Sequence, residues 1–345
     1  NAFRSCDILS SITIPNSVAT IGSRAFQFCD SLTSMVLPDG LPAIADYTFY
    51  SCTRLASVTI PNSVTTIGSR AFQDCSLLTN IVIPGGVIEI SSYAFYRCTS
   101  LIDVTIADSV TTIGEYVFRG CTRLPTIAIP GNISTLPAYA FHGCTNLTSV
   151  DLSPGLTTIG DRAFQSCENL SAIVIPDGVT TIGAWAFQNC VRLIEITIPG
   201  SVTTIGDRAF QYCERLPAIV IPDSIASIPF QAFYGCSRLA SITFQGSAPS
   251  VGDSAFNNIP AGGTAYVYEQ FAAGFGGIGG TWQGFTVETL SGFNTVRASI
   301  VLGSGTVAGA RLLGPRCSGV AVRPSAGADA RGAGAGGQLP PLPDD

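Results

Sequence analysis

The residues best suited to catalysis or metal binding in this sequence are its cysteines and its single histidine. Eleven of the 12 cysteines recur at intervals of 23 residues, from Cys6 to Cys236, and none forms a Cys-x-x-Cys pair. A tetrahedral zinc site needs four ligands that converge on one point, and this spacing does not provide them. One equivalent cysteine per repeat indicates a column of small buried side chains with reduced thiols. Stacked thiols would lie near the separation that a disulfide needs, so sporadic bridges are an alternative.

No catalytic group can be recognised around the histidine or the carboxylates. His142 occupies a repeat position that otherwise holds mostly glutamine or tyrosine, which indicates an ordinary outer site. Carboxylates are scattered, and the glycine-rich run at 274–280 lacks the lysine and the strand–loop–helix context of a phosphate-binding loop. We therefore predict no enzymatic activity, no cofactor and no metal.

The cysteine interval belongs to a 23-residue repeat whose cleanest copy runs from Cys52 to Asp74. A phenylalanine stands three residues before each of these cysteines and a leucine stands three residues after it. A fixed period of this length indicates a solenoid, in which each turn buries its apolar residues only by stacking on its neighbours.

Within one repeat the residues predict a strand, a bend and a second short element. Leu55, Val58 and Ile60 have the spacing of a leucine-rich repeat strand, which Pro61 ends because proline cannot donate to a ladder. The segment that starts at Gly68 is predicted to be helical or 3₁₀, with Ser69 as its N-cap.

The full pattern C-x-x-L-x-x-I-x-I-P-x-x-V-x-x-I-x-x-x-A-F-x-x-C resembles the BspA-like leucine-rich repeat family over residues 1 to about 256. The resemblance implies an α/β solenoid that is curved and right-handed. It implies a parallel β-sheet on the concave face and short helical or 3₁₀ segments on the convex side. It also implies a surface-exposed or secreted adhesion protein.

Composition and register divide the chain into three parts. Residues 1–256 are the solenoid, and the start in mid-repeat at Asn1 indicates a fragment, so that a signal peptide, if there is one, would lie upstream. Residues 257–290 are predicted to form a carboxy-terminal cap in which Trp282 covers the last turn. The glycine-, alanine- and proline-rich tail 291–345, which contains the off-register Cys317, is predicted to be disordered. Its mildly apolar part falls short of a membrane span.

One outer column, five residues before each cysteine, mostly alternates between arginine and aromatic residues. It includes Arg24, Tyr47, Arg70 and Tyr93, and later Arg162, Trp185 and Arg208. Such spacing keeps like charges two turns apart and lets an arginine lie over the ring of the next turn. We interpret the column as self-stacking rather than as an aromatic ligand-binding stripe.

The predicted partner-binding residues are those that interrupt an otherwise uniform concave face: Asp151, Arg192, Glu195, Arg215 and Arg238. The three arginines recur on consecutive turns. They either pair with the nearby carboxylates, namely Glu168, Glu195 and Glu214, or bind an anion, and pairing is the favoured interpretation.

The leading function is a non-enzymatic adhesion or binding module, located extracellularly or at the cell surface. Its concave face would bind a protein or an acidic glycan. The alternatives are a structural repeat protein of a coat or wall and, less favoured, an ice- or crystal-surface binder. The net charge of -6 and pI of about 4.8 argue against nucleic acid. The chain is predicted to be monomeric.

Overall fold

The computed structural model describes residues 1–290 and four two-residue strands beyond them. These strands pair antiparallel, Arg297–Ala298 with Ala310–Arg311 and Val301–Leu302 with Gly305–Thr306. The rest of the predicted tail, including Cys317, lies outside the described residues, so its predicted disorder remains a prediction.

Each turn of the solenoid from Cys29 onward carries two short strands, whereas no strand forms in the first turn, residues 6–28. The first of the two, which we call the front strand, occupies Ser34–Val36, Ser57–Thr59, Asn80–Ile83, Asp103–Ile106, Thr126–Ala128, Ser149–Asp151, Ala172–Val174, Glu195–Thr197, Ala218–Ile221 and Ser241–Phe244. Paired front strands place each residue opposite the residue 23 positions later, as Ser34 faces Ser57 and Ala218 faces Ser241. The predicted parallel strands of a leucine-rich repeat are therefore present.

The second strand of each turn, which we call the side strand, has two residues. The side strands are Ala43–Ile44, Thr66–Ile67, Glu89–Ile90, Thr112–Ile113, Thr135–Leu136, Thr158–Ile159, Thr181–Ile182, Thr204–Ile205, Ser227–Ile228 and Ser250–Val251. They also pair in parallel at the 23-residue offset, as in Thr158 opposite Thr181. The first residue of each points outward or lies half-buried, and the second, in nearly every turn, is buried.

A continuous stack of phenylalanine rings forms the centre of the core. Successive rings from Phe3 to Phe256 lie 5.2–5.7 Å apart between centroids and within 12° of parallel. The repeat leucines from Leu32 to Leu239 are fully buried beside them. The ring column is the packed form of the 23-residue phenylalanine period.

The segment between the side strand and the next front strand is a run of turns, so the prediction of a helical or 3₁₀ segment in every repeat is wrong. Backbone amides there alternate between two acceptors. The Ala71 amide donates within the turn to the Gly68 carbonyl at 3.2 Å, whereas the Phe72 amide donates to Ala94 of the next turn at 2.8 Å. A helix needs successive amides to donate within the segment, and here every second one is committed to the neighbouring turn.

Ser69 likewise does not cap a helix, since its hydroxyl donates to the Ser92 carbonyl of the next turn at 3.2 Å. Within the described residues the helix that forms is a 3₁₀ helix at Glu269–Phe275, beyond the repeats. The right-handed curvature and the concave position of the front sheet stay predictions.

The alternating hydrogen bonds place two residues of each run of turns in the left-handed backbone conformation, with positive φ. They stand five residues and one residue before the cysteine, as at Arg70 with φ 55° and Asp74 with φ 60°. Glycine fills the second position at Gly120, Gly143 and Gly235, but larger residues fill it elsewhere. A left-handed residue with a Cβ costs about 1–2 kcal/mol, so most turns hold local strain.

The strands continue past the repeats into the carboxy-terminal elements. Thr264–Val267 pairs in parallel with the last front strand, and Phe285–Thr289 pairs in parallel with Thr264–Val267. Thr281–Trp282 then adds an antiparallel edge. The Trp282 indole lies 5.8 Å from the ring of Phe256, the last member of the phenylalanine stack, and 4.9 Å from that of Phe244.

Replacing Ser166 by glycine should stabilise the solenoid. Ser166 has φ 58° and no side-chain hydrogen bond, so Ser166→Gly relieves left-handed strain and removes no described contact. We expect the free energy of unfolding to rise by about 0.5–1 kcal/mol, measured by chemical denaturation. The control Ser171→Gly, at an exposed site without positive φ, should lower it. If the two changes altered the free energy of unfolding equally, the left-handed backbone at Ser166 would not be a source of strain.

Candidate functional site

The cysteine column is structural rather than reactive. All the cysteines from Cys29 to Cys236 are buried, and all eleven in register are free thiols rather than disulfides. Each buried Sγ donates to the carbonyl of the phenylalanine 26 residues earlier, for example Cys98 to Phe72 at 3.1 Å and Cys144 to Phe118 at 3.1 Å. The thiol therefore fills a small apolar space and also bonds one turn to the preceding turn.

Burial suppresses ionisation of these thiols. Desolvation raises the pKa of Cys52 and of Cys144 from the ordinary 9.0 to about 12, and it raises the pKa of the fully buried Cys98 well above that ordinary value. A thiol must ionise to act as a nucleophile or a metal ligand. These cysteines consequently stay protonated at neutral pH.

Stability should fall in mild alkali because of these raised pKa values. Above pH 9.0 the unfolded thiols ionise while the folded thiols keep their protons, so the unfolded state is favoured up to the folded pKa of about 12. Each such cysteine should contribute a loss of about 1.4 kcal/mol per pH unit in that window. Denaturation curves from pH 7 to 10 measure this, and Cys144→Ala should show a shallower slope. If Cys144→Ala left the dependence of unfolding free energy on pH unchanged, the raised pKa of Cys144 would not contribute to the alkaline loss of stability.

The arginine–aromatic column is a continuous stack along the run of turns, as predicted. The Arg24 guanidinium lies 4.5 Å from the centre of the Tyr47 ring, and that of Arg162 lies 4.0 Å from the Trp185 ring. Tyr116 stacks on Tyr139 at 4.3 Å. Because the ring faces are covered by neighbours of the same chain, they are not free to stack on a sugar or a base.

Trp185→Ala should therefore destabilise the protein without affecting ligand binding at the front strands. The change removes the contacts of Trp185 with Arg162 and with Arg208, the latter at 5.4 Å. Two cation–π contacts of about 0.5–1 kcal/mol each predict a loss of about 1–2 kcal/mol. Thermal melting measures the loss, and Trp185→Tyr, which keeps a ring, should recover most of it. Lost binding at an unchanged melting temperature would show that the column is a ligand site.

His142 is an ordinary member of its outer column. Its Nδ1 accepts a hydrogen bond from Nε of Arg119 at 3.2 Å, and its ring lies beside Tyr139. Half-burial and the positive charge of Arg119 lower the pKa of His142, which favours the neutral ring. Its described neighbours include no nucleophile and no carboxylate partner.

Many hydroxyls of the repeat are used in bonds between turns, a role that sequence reasoning missed. Thr157 Oγ1 donates to the Ser134 carbonyl at 2.9 Å, and Ser201 Oγ donates to the Val179 carbonyl at 2.7 Å. Similar bonds recur down several columns. The recurrence of serine or threonine at one repeat position was the available signal.

The outward side chains of the front strands differ, because they make no side-chain hydrogen bonds in the described part of the chain. They stand five and seven residues after each cysteine and are mostly exposed, reaching 68% at Val36 and 71% at Val174. We call this surface the front face. It is a broad surface of short side chains without partners in the fold.

The structure brings together some of the predicted site residues. Arg192, Arg215 and Arg238 occupy the third position of equivalent β-turns, each closed by a leucine amide on a cysteine carbonyl at 2.9–3.2 Å. All three are exposed at the corner where front strands begin, and we call them the arginine row. Glu195 is exposed at the start of the same turn's front strand as Arg192. Asp151 is exposed too, but it ends a front strand two turns earlier.

The favoured pairing of the arginine row with carboxylates is wrong. Among the described residues the ion pair that forms is Arg97–Asp74 at 3.4 Å, and the predicted partners Glu168, Glu195 and Glu214 form none. No side-chain hydrogen bond or ring contact engages the row within 1–290 either. Exposed long side chains gain little from pairing because water screens the charges. The row thus presents three adjacent cations without internal neutralisation.

Two kinds of site are not found in the described part of the chain. No three histidine, cysteine or acidic side chains there are grouped so that they could hold a metal ion. Among those same residues, no helix has the length and apolar character needed to cross a bilayer.

Comparison with known proteins identifies the family. The sequence matches the model described as BspA type Leucine rich repeat region, in 6 copies over residues 1–124, 88–217 and 203–262. The chain therefore belongs to the BspA-type leucine-rich repeat family. No curated protein matches the sequence significantly.

Several solved bacterial structures are similar to this chain. A leucine-rich repeat protein from Bacteroides ovatus is 25% identical over 84% of this chain and 80% of that chain, with a TM-score of 0.69. A leucine rich cell surface protein from Faecalibacterium prausnitzii is 30% identical over 70% and 80% of the two chains, with a TM-score of 0.43. The T. pallidum leucine rich repeat protein is 30% identical over 57% and 81%, with a TM-score of 0.42.

Proposed function

We propose that this protein is a non-enzymatic binding or adhesion module, secreted or displayed at a cell surface, whose front face binds a protein or glycan. The observation that carries this proposal is the division of polar groups in the repeat. Hydroxyls of several columns are used in bonds between turns, whereas front-face side chains are exposed and make no side-chain hydrogen bonds. Solenoids of stacked repeats use such extended faces for binding.

The partner is proposed to dock over turns eight to eleven, counted from Cys6. A uniform row offers every register equally, so selectivity needs groups that differ from their surroundings. These groups are Arg192, Glu195, Arg215 and Arg238 within those turns and Asp151 in turn seven beside them, all exposed. The partner is accordingly acidic, and the module acts as a monomer.

Val174→Trp tests the proposal by placing a bulky ring on the front face. Val174 is 71% exposed in turn eight, the first turn of the proposed docking region, and aromatic residues are well tolerated in strands. We expect binding to immobilised matrix proteins and glycans to fall about tenfold or more, which corresponds to a loss of about 1.4 kcal/mol of binding free energy.

Val36→Trp is the matched control, since Val36 has the same repeat position and a similar exposure of 68%, but lies six turns away. Binding of this variant should equal that of the parent protein. Equal binding by Val174→Trp and the parent, or failure of the parent to bind any immobilised protein or glycan, would overturn the proposal.

A further inference from the structure

We infer that the arginine row binds a linear sulfated polysaccharide that lies along the axis of the solenoid. This inference rests on the proposed function, and it adds the chemical class and the direction of the ligand. It depends on the geometry of Arg192, Arg215 and Arg238 and on the groups that surround them.

The row is linear and parallel to the stacking direction. Its members share one β-turn position on three consecutive turns. The step between those turns is given by the phenylalanine rings, whose centroids lie 5.5 Å apart between Phe187 and Phe210 and 5.3 Å apart between Phe210 and Phe233. A single small anion can neutralise only part of such a row, whereas a polymer with repeated charges can follow it.

The arrangement is a departure from how the rest of the chain places arginine. In the arginine–aromatic column, Arg162 and Arg208 are two turns apart, with Trp185 between them. The column of the arginine row also contains Arg54 and Arg123, but their neighbours in that column are uncharged. Three adjacent unpaired cations are therefore particular to turns nine to eleven.

The chemistry of the row fits oxyanions on a polysaccharide. Guanidinium groups present forked donors that match tetrahedral oxyanions. Beside the row stand Ile194, Pro217 and Ala240, which are exposed and apolar, and which leave space for sugar rings. An extended acidic peptide would place side chains of one face about 6.8 Å apart, out of step with the turns. Single-stranded DNA is another linear polyanion, and the experiment compares it with the polysaccharide directly.

Two exposed carboxylates, Glu195 and Glu214, lie near the row and form no ion pair in the described residues. A polyanion must approach them, so they should weaken its binding. Removing these two carboxylates should therefore raise the affinity for the polyanion, whereas removing the arginines should lower it.

The experiment measures binding of size-defined heparin oligosaccharides to the full chain at several salt concentrations, with desulfated heparin as the ligand control. Changing Arg192, Arg215 and Arg238 together to serine should lower affinity at least about tenfold at low salt. The slope of log affinity against log salt should also decrease in magnitude by about 2, because three anion contacts are lost. The double variant Glu195→Gln with Glu214→Gln should bind about threefold more tightly.

The matched control is Arg54→Ser with Arg123→Ser, which removes exposed arginines from the same turn position and should leave affinity unchanged within about twofold. An equal loss in this control would mean that general charge, not the row, attracts heparin, and would overturn the inference. If desulfated heparin bound as tightly as heparin, sulfate would not be the recognised group. If poly-glutamate or single-stranded DNA bound more tightly than heparin, the ligand would not be a sulfated polysaccharide.

The two proposals fail in different ways. Suppose that heparin does not bind, but Val174→Trp still weakens binding to another immobilised protein or glycan. The sulfated polysaccharide is then rejected, while the front face remains a binding surface.

Discussion

The structure depends on one constraint, which is that backbone groups of each turn bond to groups of the neighbouring turns, 22 to 24 residues away. In the runs of turns every second amide donates to the next turn, as Phe72 does to Ala94, and the parallel strands pair residues 23 positions apart. A side chain at any position therefore meets the side chains at the equivalent position of the turns above and below. The phenylalanine stack, with centroids 5.2–5.7 Å apart, is the most direct result.

This constraint also decides which residues are available for function. A buried thiol at the cysteine position reaches the carbonyl of the phenylalanine 26 residues earlier, and many hydroxyls in several columns reach a carbonyl of the preceding turn. Such groups serve the fold. Within the described residues, the outward side chains of the front face and the side chains of the arginine row lack these partners, so differences between turns can accumulate there without disturbing the stack. The arginine row, at Arg192, Arg215 and Arg238, is such a difference.

The sequence predicted the repeat, the buried residues and the strands, because identical apolar positions recurred without an insertion. It failed at Gly68 and Ser69, where local residue preferences suggested a helix but amides bond alternately within and between turns. It failed also for the arginine row, since carboxylates near in sequence did not become ion-pair partners. The positions of Asp151 and Glu195 on the outer surface followed from strand alternation, but the thiol–carbonyl bond at Cys98 had no signal beyond its recurrence.

The most direct test is a comparison of two internal deletions that differ by one residue. Removing 104–126 joins Asp103 to Ile127 and keeps every remaining residue in register, whereas removing 104–127 joins Asp103 to Ala128 and reverses the inward and outward sides of that strand. The account predicts that the first variant keeps the circular dichroism spectrum and cooperative melting of the parent. The second should lose cooperative melting. Equal folding of both variants would contradict the claim that the 23-residue register holds the structure together.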